Sequence, residues 1–207
     1  MLFRPVRTGM IADKVYAVNA VIGNSYIFDT DEGLVAFDTG LNPPMLAAGM
    51  KKLGLVPADV SHVFLTHSDY DHVGGLPLFK DAVVYLSKRE EPMVTGEKAR
   101  LLFRHNKRLY NYTALEDREI VTVGSCNVQL IEAPGHTVGS ACYLVNGDIL
   151  VSGDALRTSG SGRITPFLIF QNMNHAEDKG SVERLHSEGI IDRAKMILTG
   201  HTGVLLK

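Results

Sequence analysis

The sequence lacks several features that would by themselves assign a class of protein. It has no tryptophan and only two cysteines, Cys126 and Cys142, which lie far apart and form no C-x-x-C pair. That spacing argues against a disulfide framework and against a cysteine-based structural zinc site, and it favours two reduced, buried thiols. No apolar run approaches the ~20 residues that a membrane helix requires, so we expect no membrane partner.

An excess of charge of one sign is also missing. The chain has 21 Lys and Arg residues against 23 Asp and Glu residues, a formal net charge of −2. This balance gives no general basic field, which argues against a nucleic-acid partner. The first residues, MLFRPVRTGMIADKVYAV, lack the apolar core and cleavage site of a signal peptide. We therefore expect a cytoplasmic protein, and the sequence predicts no oligomeric state.

What is present fits one layered domain over residues 1–207, in an α/β fold. Hydrophobic residues make up 45% of the chain, and short apolar runs typical of strands alternate with helical segments. Pro43 and Gly54 predict the start and stop of a first helix. We also expect helices from Asp71 or His72 to Phe79, over residues 88–112 and over residues 181–189, and a loop or lid from Ala155 to Asn174.

The stretch LTHSDYDHVGG contains a dense group of ionisable residues. His67, Asp69, Asp71 and His72 lie within six positions, directly after the apolar run HVFL. Carboxylates at this density repel one another unless a cation or a solvated loop relieves the charge. Taken alone, the stretch therefore fits a metal site, or a solvated turn in which Asp69 or Asp71 caps the following helix.

Four other apolar segments also end in a histidine or an aspartate. Loops at strand ends are where layered α/β proteins assemble their sites, so these side chains are expected to meet in one cleft. Imidazole and carboxylate groups together suit zinc, iron or manganese. Apart from Asp38, the cleft would hold seven such side chains, too many for one tetrahedral ion but enough for two ions that share a carboxylate: His67, Asp69, Asp71, His72, His136, Asp154 and His201. The five segment ends are LVAF before Asp38, VFLT before His67, QLIEAPG before His136, ILVSG before Asp154 and MILTG before His201.

The motifs THSDYDHVGG, APGHTVGS, SGDAL and TGHTG, with FDTG upstream, strongly resemble the metallo-β-lactamase superfamily in order and spacing, roughly from Val15 to Gly203. The resemblance implies an αββα sandwich of two mixed sheets with outer helices and two divalent metal ions, most simply zinc, at one sheet edge. It also assigns residue roles: His67, Asp69 and His136 at the first metal, Asp71, His72 and His201 at the second, Asp154 bridging both, and Asp38 supporting the ligands without binding metal.

Asp69 departs from the family's usual H-x-H-x-D-H motif, in which the second position is histidine. An additional carboxylate makes the site less positive, so a bound water should have its pKa lowered less than is usual for the family. A harder oxygen ligand also shifts the preference modestly from zinc toward iron or manganese. Alternatively, Asp69 weakens the first site so that only the second fills well.

The resemblance implies a metal-dependent hydrolase. A hydroxide bridging two metals would cleave a small ester, lactone, thioester or phosphoester, with Asp71 orienting the nucleophile and moving a proton. The chain has no G-x-S-x-G motif, so serine chemistry is not suggested. Two alternatives remain: an iron-dependent oxidoreductase of the same fold, with oxygen or sulfur chemistry, and a metal-binding domain without turnover.

Substrate contacts are the least determined part of the sequence. Arg100, Arg104, Lys107 and Arg108 would form a basic stripe on the helix expected over residues 88–112. Such a stripe is either a solvated face or a surface that steers an anionic substrate, and for the second case we select Arg104 and Arg108. His175 follows the expected lid and is a further candidate for contact with substrate.

Overall fold

The computed structural model describes residues 3–159 and 161–207, so Met1, Leu2 and Gly160 lie outside the described residues. Its first sheet has seven strands in the spatial order β1 to β7. The early strands pair antiparallel, whereas β4, β5, β6 and β7 run parallel to one another. The strands are β1 Gly9–Ala12, β2 Val15–Ala20, β3 Gly23–Thr30, β4 Gly33–Phe37, β5 Val60–Leu65, β6 Val83–Ser87 and β7 Thr113–Leu115.

A second sheet of six strands has the order β15-β14-β11-β10-β9-β8. Only β11 and β14 pair in parallel in this sheet. Two further strands, β12 and β13, form a separate antiparallel pair. The strands are β8 Ile120–Val123, β9 Cys126–Glu132, β10 Ala141–Val145, β11 Ile149–Gly153, β12 Leu156–Thr158, β13 Ile164–Pro166, β14 Met196–Thr199 and β15 Val204–Leu206.

The helices have recognisable starts. Asn42 caps the first helix by accepting a hydrogen bond from the Met45 amide, Pro43 occupies its first position, and Gly54 follows its end with a positive φ of 74°. Asn174 caps the fourth helix in the same way through the Glu177 amide. The α-helices are α1 Pro43–Lys52, α2 Tyr70–Val73, α3 Glu91–Val94, α4 His175–Ser187 and α5 Ile190–Arg193; single 3₁₀ turns occupy Pro57–Asp59, Leu76–Leu78, Lys88–Glu90 and Ile169–Gln171.

Three hydrophobic layers hold these elements together. Between the sheets, Phe37 and Phe64 of the first sheet pack near Tyr143 of the second, and the Tyr143 hydroxyl donates to the Leu65 carbonyl oxygen at 2.8 Å. Helix α1 covers the outer face of the first sheet, and α4 and α5 cover that of the second. This is the expected αββα sandwich, and the predicted fold class is confirmed. Cys126 and Cys142 are free and buried, as expected.

The helix predicted over residues 88–112 is wrong. Only a 3₁₀ turn and α3 form there, and the chain from Thr95 to Tyr112 has no helix. Gly96 adopts a φ of 80° and Leu102 a φ of 47°, backbone conformations that cannot continue a right-handed helix. The basic residues therefore lie along an irregular segment, not on one helix face.

Other expected boundaries shift. The helix expected up to Phe79 is α2 followed by a 3₁₀ turn, and the helix expected over residues 181–189 starts earlier, at His175, where Asn174 supplies the cap. The run from Ala155 to Asn174 is not a plain loop, because it contains β12, β13 and a 3₁₀ turn; its Gly160 lies outside the described residues. No helix of the described residues has the length and apolar character needed to cross a membrane.

Candidate metal centre

Five strands end at the same edge of the sandwich and carry the predicted side chains to it. The rings of His67 and His72 have centroids 4.0 Å apart, and those of His67 and His136 are 4.8 Å apart. Gly200 must lack a side chain here, because a Cβ atom would collide with the Asp154 carboxylate. The strand that precedes each group is β4 for Asp38, β5 for His67, β9 for His136, β11 for Asp154 and β14 for His201.

The side chains form two adjacent clusters. In each cluster the potential ligand atoms all lie within 4.8 Å of one another. The Oδ2 atom of Asp154 is 3.5 Å from Nε2 of His136 and 3.1 Å from Nε2 of His201, so this carboxylate lies between the clusters. We call them the His136 cluster, made of His67, His136 and Asp154, and the His201 cluster, made of Asp71, His72 and His201.

All four histidines have a partner for Nδ1, which leaves Nε2 directed into the site. His72 Nδ1 donates to Asp38 Oδ2 at 2.8 Å, and His201 Nδ1 donates to the Ile22 carbonyl oxygen at 2.6 Å. His67 Nδ1 lies 3.1 Å from Thr66 Oγ1, and His136 Nδ1 lies 3.1 Å from Asn172 Oδ1. Such hydrogen bonds fix the tautomer and the ring plane of histidines that bind metals.

The distances between ligand atoms fit metal ions. His72 Nε2 and His201 Nε2 lie 3.3 Å apart, and His201 Nε2 is 3.3 Å from Asp71 Oδ2. Two nitrogens bound at about 2.1 Å to a tetrahedral zinc ion are separated by roughly 3.4 Å. Within the described residues, the buried His67 Nε2 and Asp154 Oδ1 atoms have no hydrogen-bond partner. Buried polar atoms that are left unpaired are costly, and a bound cation would satisfy them.

The electrostatics of the cluster also call for cations. Burial alone would lower the pKa of His72, but the Asp38 and Asp154 carboxylates raise it well above its ordinary value. Burial alone would raise the pKa of Asp154, but His201 and His72 hold it well below its ordinary value. The carboxylates therefore draw positive charge into this pocket, as protons on the imidazoles or as metal ions.

Asp69 does not cap helix α2, although it occupies the N-cap position. Its carboxylate instead accepts from Arg100 Nε, at 2.8 Å to Oδ1 and 2.9 Å to Oδ2, and from Asn106 Nδ2 at 2.9 Å. The positive charge of the Arg100 guanidinium offsets the negative charge of the Asp69 carboxylate. The expectation that Asp69 makes the site less positive therefore needs correction. Arg100 was expected only as part of a basic stripe, and this ion pair was not predicted, since nothing in the spacing indicates a contact across 31 positions.

Glu90 is a second residue whose role at the site was not predicted. Its fully buried carboxylate accepts from Ser68 N at 3.0 Å, Ser68 Oγ at 2.6 Å, Thr137 Oγ1 at 2.7 Å and Gly139 N at 2.9 Å. Burial raises the pKa of Glu90, and the Ser68 hydrogen bond opposes that shift. Glu90 thereby ties the loop that carries His67 to the loop that carries His136. In the sequence Glu90 lies in a charged run between Arg89 and Glu91, and nothing in that run indicates this role.

A cavity of about 690 Å³ opens over the clusters. Arg104, one of the two arginines selected as candidates for substrate contact, lines it, whereas Arg108, the other, does not and instead lies beside Gly96. His175 does not line it either, and contacts Asn172 through Nδ1 at 3.0 Å. The walls are formed by Phe3, Ile22, Asp69, Tyr70, Asp71, Ala99, Arg100, Leu101, Leu102, Arg104, His105, Asn106, Lys107, His136, Asp154, Phe170, Gln171, Asn172, Met173 and His201.

Comparison with known proteins gives consistent matches. Residues 18–201 match the family model of the metallo-β-lactamase superfamily. A probable metallo-hydrolase of Methanocaldococcus jannaschii is 30% identical over 79% of this chain and 67% of its own length. The probable polyketide biosynthesis zinc-dependent hydrolase PksB of Bacillus subtilis is 33% identical over 66% of this chain and 55% of its own length. The chain thus spans between about half and two thirds of these curated relatives.

Solved structures agree in fold. A subclass B3 metallo-β-lactamase with an active-site glutamic acid superposes with a TM-score of 0.74 at 20% identity, covering 100% of this chain and 85% of that one. BJP-1, a subclass B3 enzyme of Bradyrhizobium japonicum, also has a TM-score of 0.74, at 19% identity over 97% of this chain and 79% of that one. At this level of identity the likeness concerns the fold.

Proposed function

Because the chain belongs to the metallo-β-lactamase superfamily, whose family model matches residues 18–201, we propose that it is a metal-dependent hydrolase. It would hold two divalent ions, zinc in the simplest case, within one domain over residues 1–207. The observation that carries the proposal is the set of four imidazole Nε2 atoms facing shared carboxylates. The shortest distance from an Nε2 atom to a carboxylate oxygen is 3.1 Å, between His201 Nε2 and Asp154 Oδ2. Nothing but a cation or a proton stabilises such an arrangement of buried lone pairs.

We assign the ligands from the two clusters. His67 and His136 would hold the first ion with Asp69 or Asp154, and Asp71, His72 and His201 would hold the second. Asp154 would contribute to both, since it lies between His136 and His201. Asp38 would keep His72 in the tautomer that leaves Nε2 free, and it accepts in addition from the Thr66 amide at 2.8 Å.

The bound ions would lower the pKa of water toward neutrality and polarise the oxygen of the bond to be cleaved. Asp71 would orient the attacking water and carry its proton on a carboxylate oxygen toward the leaving group. Its side chain is partly exposed to the cavity, and among the described residues no hydrogen bond occupies its carboxylate, although His201 Nε2 lies 3.3 Å from Oδ2. Asp71 therefore has an oxygen free to face the substrate.

The substrate is a small molecule with an ester, lactone, thioester or phosphoester bond. A cavity of about 690 Å³ suits a ligand of this size. Relatives named as a zinc-dependent hydrolase and as a hydroxyacylglutathione hydrolase, the latter from Gloeobacter violaceus and 30% identical over 72% of this chain, support hydrolysis. The exposed Arg104 on the cavity wall favours substrates that carry a negative charge.

The test is a panel of esters, lactones, thioesters and phosphodiesters, assayed before and after removal of metal. We expect hydrolysis of at least one class, its loss with chelator and its return with zinc. His201→Ala should abolish it, whereas His186→Ala, an exposed histidine on α4, serves as the matched control and should leave it intact. Hydrolysis that persists in metal-free protein would contradict the proposal.

A further inference from the structure

Arg100 reaches into the His136 cluster from the irregular segment after α3. Its Nε–H group is shared by both oxygens of Asp69, and its Nη2 donates to the Gln171 carbonyl oxygen at 2.7 Å. The side chain is only 15% exposed, so this cation is largely withdrawn from water. It therefore acts on its neighbours with little screening.

The same guanidinium contacts Nε2, the atom that His136 would offer to a metal. Arg100 Nη2 lies 3.2 Å from His136 Nε2, and His136 Nδ1 faces the Asn172 oxygen. Asn172 presents oxygen on that side because its Nδ2 donates to Asp178 at 2.7 Å. In the tautomer that donates from Nδ1 to Asn172, His136 Nε2 accepts from Arg100 Nη2, and Asp69 Oδ2 lies 3.2 Å from the same nitrogen. An arginine stays protonated at all ordinary pH values, so it cannot itself become a ligand.

Among residues 3–159 and 161–207, no arginine or lysine side chain contacts the ligand atoms of the His201 cluster in this way. His72 Nε2 and His201 Nε2 face each other at 3.3 Å, and the charged side chains near them are the Asp71 and Asp154 carboxylates. Their Nδ1 atoms are held by Asp38 and by the Ile22 carbonyl oxygen. A cation entering here meets preorganised, uncontested ligands, whereas at the His136 cluster it meets a positive charge.

We propose that Arg100 makes the two halves of the metal centre unequal: it occupies Asp69 and His136, so that the His136 cluster binds a divalent cation at least ten times more weakly than the His201 cluster. This inference rests on the proposed function for the presence of a metal centre. It follows that the two ions load in sequence, the His201 cluster first, and that filling the second requires Arg100 to give up its contact with His136 Nε2.

Titration of the full chain with cobalt(II), after removal of metal by chelator, tests the inference without any catalytic assay. The ion's visible absorption and equilibrium dialysis report binding to N/O ligands. We expect one tight and one weaker step, with dissociation constants at least tenfold apart. Arg100→Met should tighten the weaker step tenfold or more. Arg104→Met, the matched control on the same cavity wall, should change neither step.

Two single-ligand variants assign the steps. His136→Ala should remove the weaker step and keep the tight one, whereas His201→Ala should remove the tight step. If Arg100→Met does not fold, Arg100→Lys, which keeps the charge but cannot reach both partners in the same way, should tighten the weaker step by a smaller factor. Two equal steps in the unmodified chain, or a weaker step that Arg100→Met leaves unchanged or abolishes, would overturn the inference.

Failure of the inference and failure of the proposed function give different results. Two equal cobalt steps with metal-dependent hydrolysis overturn the role of Arg100 alone. Unequal steps without hydrolysis of any substrate in the panel overturn the hydrolase proposal alone. A chain that binds no cobalt overturns both.

Discussion

The Nδ1 atom of His72 lies 2.8 Å from the Oδ2 atom of Asp38, and both side chains are buried. Asp38 adopts a positive φ of 52°, a conformation that asparagine tolerates better than most residues. Because Asp38 also accepts from the Thr66 amide and hydroxyl at 2.8 Å, its carboxylate is fixed in place and in turn fixes the imidazole.

Asp38→Asn should therefore weaken metal binding without unfolding the chain. If the amide nitrogen replaced Oδ2, it would present a donor to His72 Nδ1–H and favour the wrong tautomer at Nε2; if it replaced Oδ1, it would lose the hydrogen bond from the Thr66 amide that holds the side chain in place. Loss of such a supporting carboxylate costs about 10–100-fold in metal affinity. Zinc titration against a chromophoric chelator measures the change, with the exposed Asp81→Asn as control. Unchanged affinity in Asp38→Asn would remove Asp38 from the account.

Glu90→Gln should lower stability. An amide nitrogen would face at least one of the four donors now bound by the carboxylate, leaving buried groups unpaired, which costs about 2 kcal/mol. For a chain of this size that loss lowers the midpoint of thermal unfolding by about 4–8 °C. Scanning calorimetry of this variant beside the exposed Glu97→Gln makes the comparison. Equal midpoints would mean that Glu90 does not hold the two loops together.

Asp178 should make stability depend on pH in the opposite sense to an ordinary carboxylate. Burial raises its pKa from 3.8 to about 7, against the opposing effects of the neighbouring His136 and of the Asn172 hydrogen bond and with a further increase from Asp154. Because the folded state holds the proton more tightly, the stabilising proton is lost as pH rises toward 7 and beyond.

Asp178→Asn cannot ionise and should gain stability relative to the unmodified chain between pH 5 and pH 8, by about 2 kcal/mol. Urea unfolding of both proteins at the two pH values, in the same metal state, measures this difference. Asp59→Asn, an exposed position, should show no such trend. A difference between Asp178→Asn and the unmodified chain that stays constant across this range would contradict the burial argument.

The two arginines selected from the sequence should behave differently. Arg104 lines the cavity and Arg108 does not, so Arg104→Glu should raise KM for an anionic substrate about fivefold and Arg108→Glu should change it less than twofold. The effect of Arg104→Glu should shrink as ionic strength rises. Steady-state kinetics at two salt concentrations separate these outcomes. Equal effects of both substitutions would indicate general surface charge.

The sequence predicted the scaffold of the site well because its signals are local. The apolar runs before Asp38, His67, His136, Asp154 and His201 are strands in the structure, and they end where the motifs begin. The bounds of helix α1 were also predicted from the sequence, because proline and glycine mark its two ends. Hydrophobic periodicity and the residues that start or end a helix depend only on neighbouring positions in the chain.

The segment from Lys88 to Tyr112 was misread because its conformation is set by distant partners. Its charge pattern is typical of a helix, but contacts with distant residues determine its conformation. Arg100 forms an ion pair with Asp69, and Asn106 donates to Ser68 Oγ at 2.8 Å and to Asp69. Leu109 and Tyr112 pack against the first sheet. Glu90 was missed for the same reason. Contacts between separate loops leave no periodic trace in one sequence, although they position the metal-site side chains.

The central claim is that two clusters of imidazole and carboxylate groups bind two divalent ions. Elemental analysis of the full chain tests it most directly, after dialysis against excess zinc and then against buffer whose free zinc is held just above the weaker dissociation constant. The account predicts about two zinc ions per chain, and about one in both His136→Ala and His201→Ala. No bound metal in the unmodified chain, or the same content in all three proteins, would contradict it.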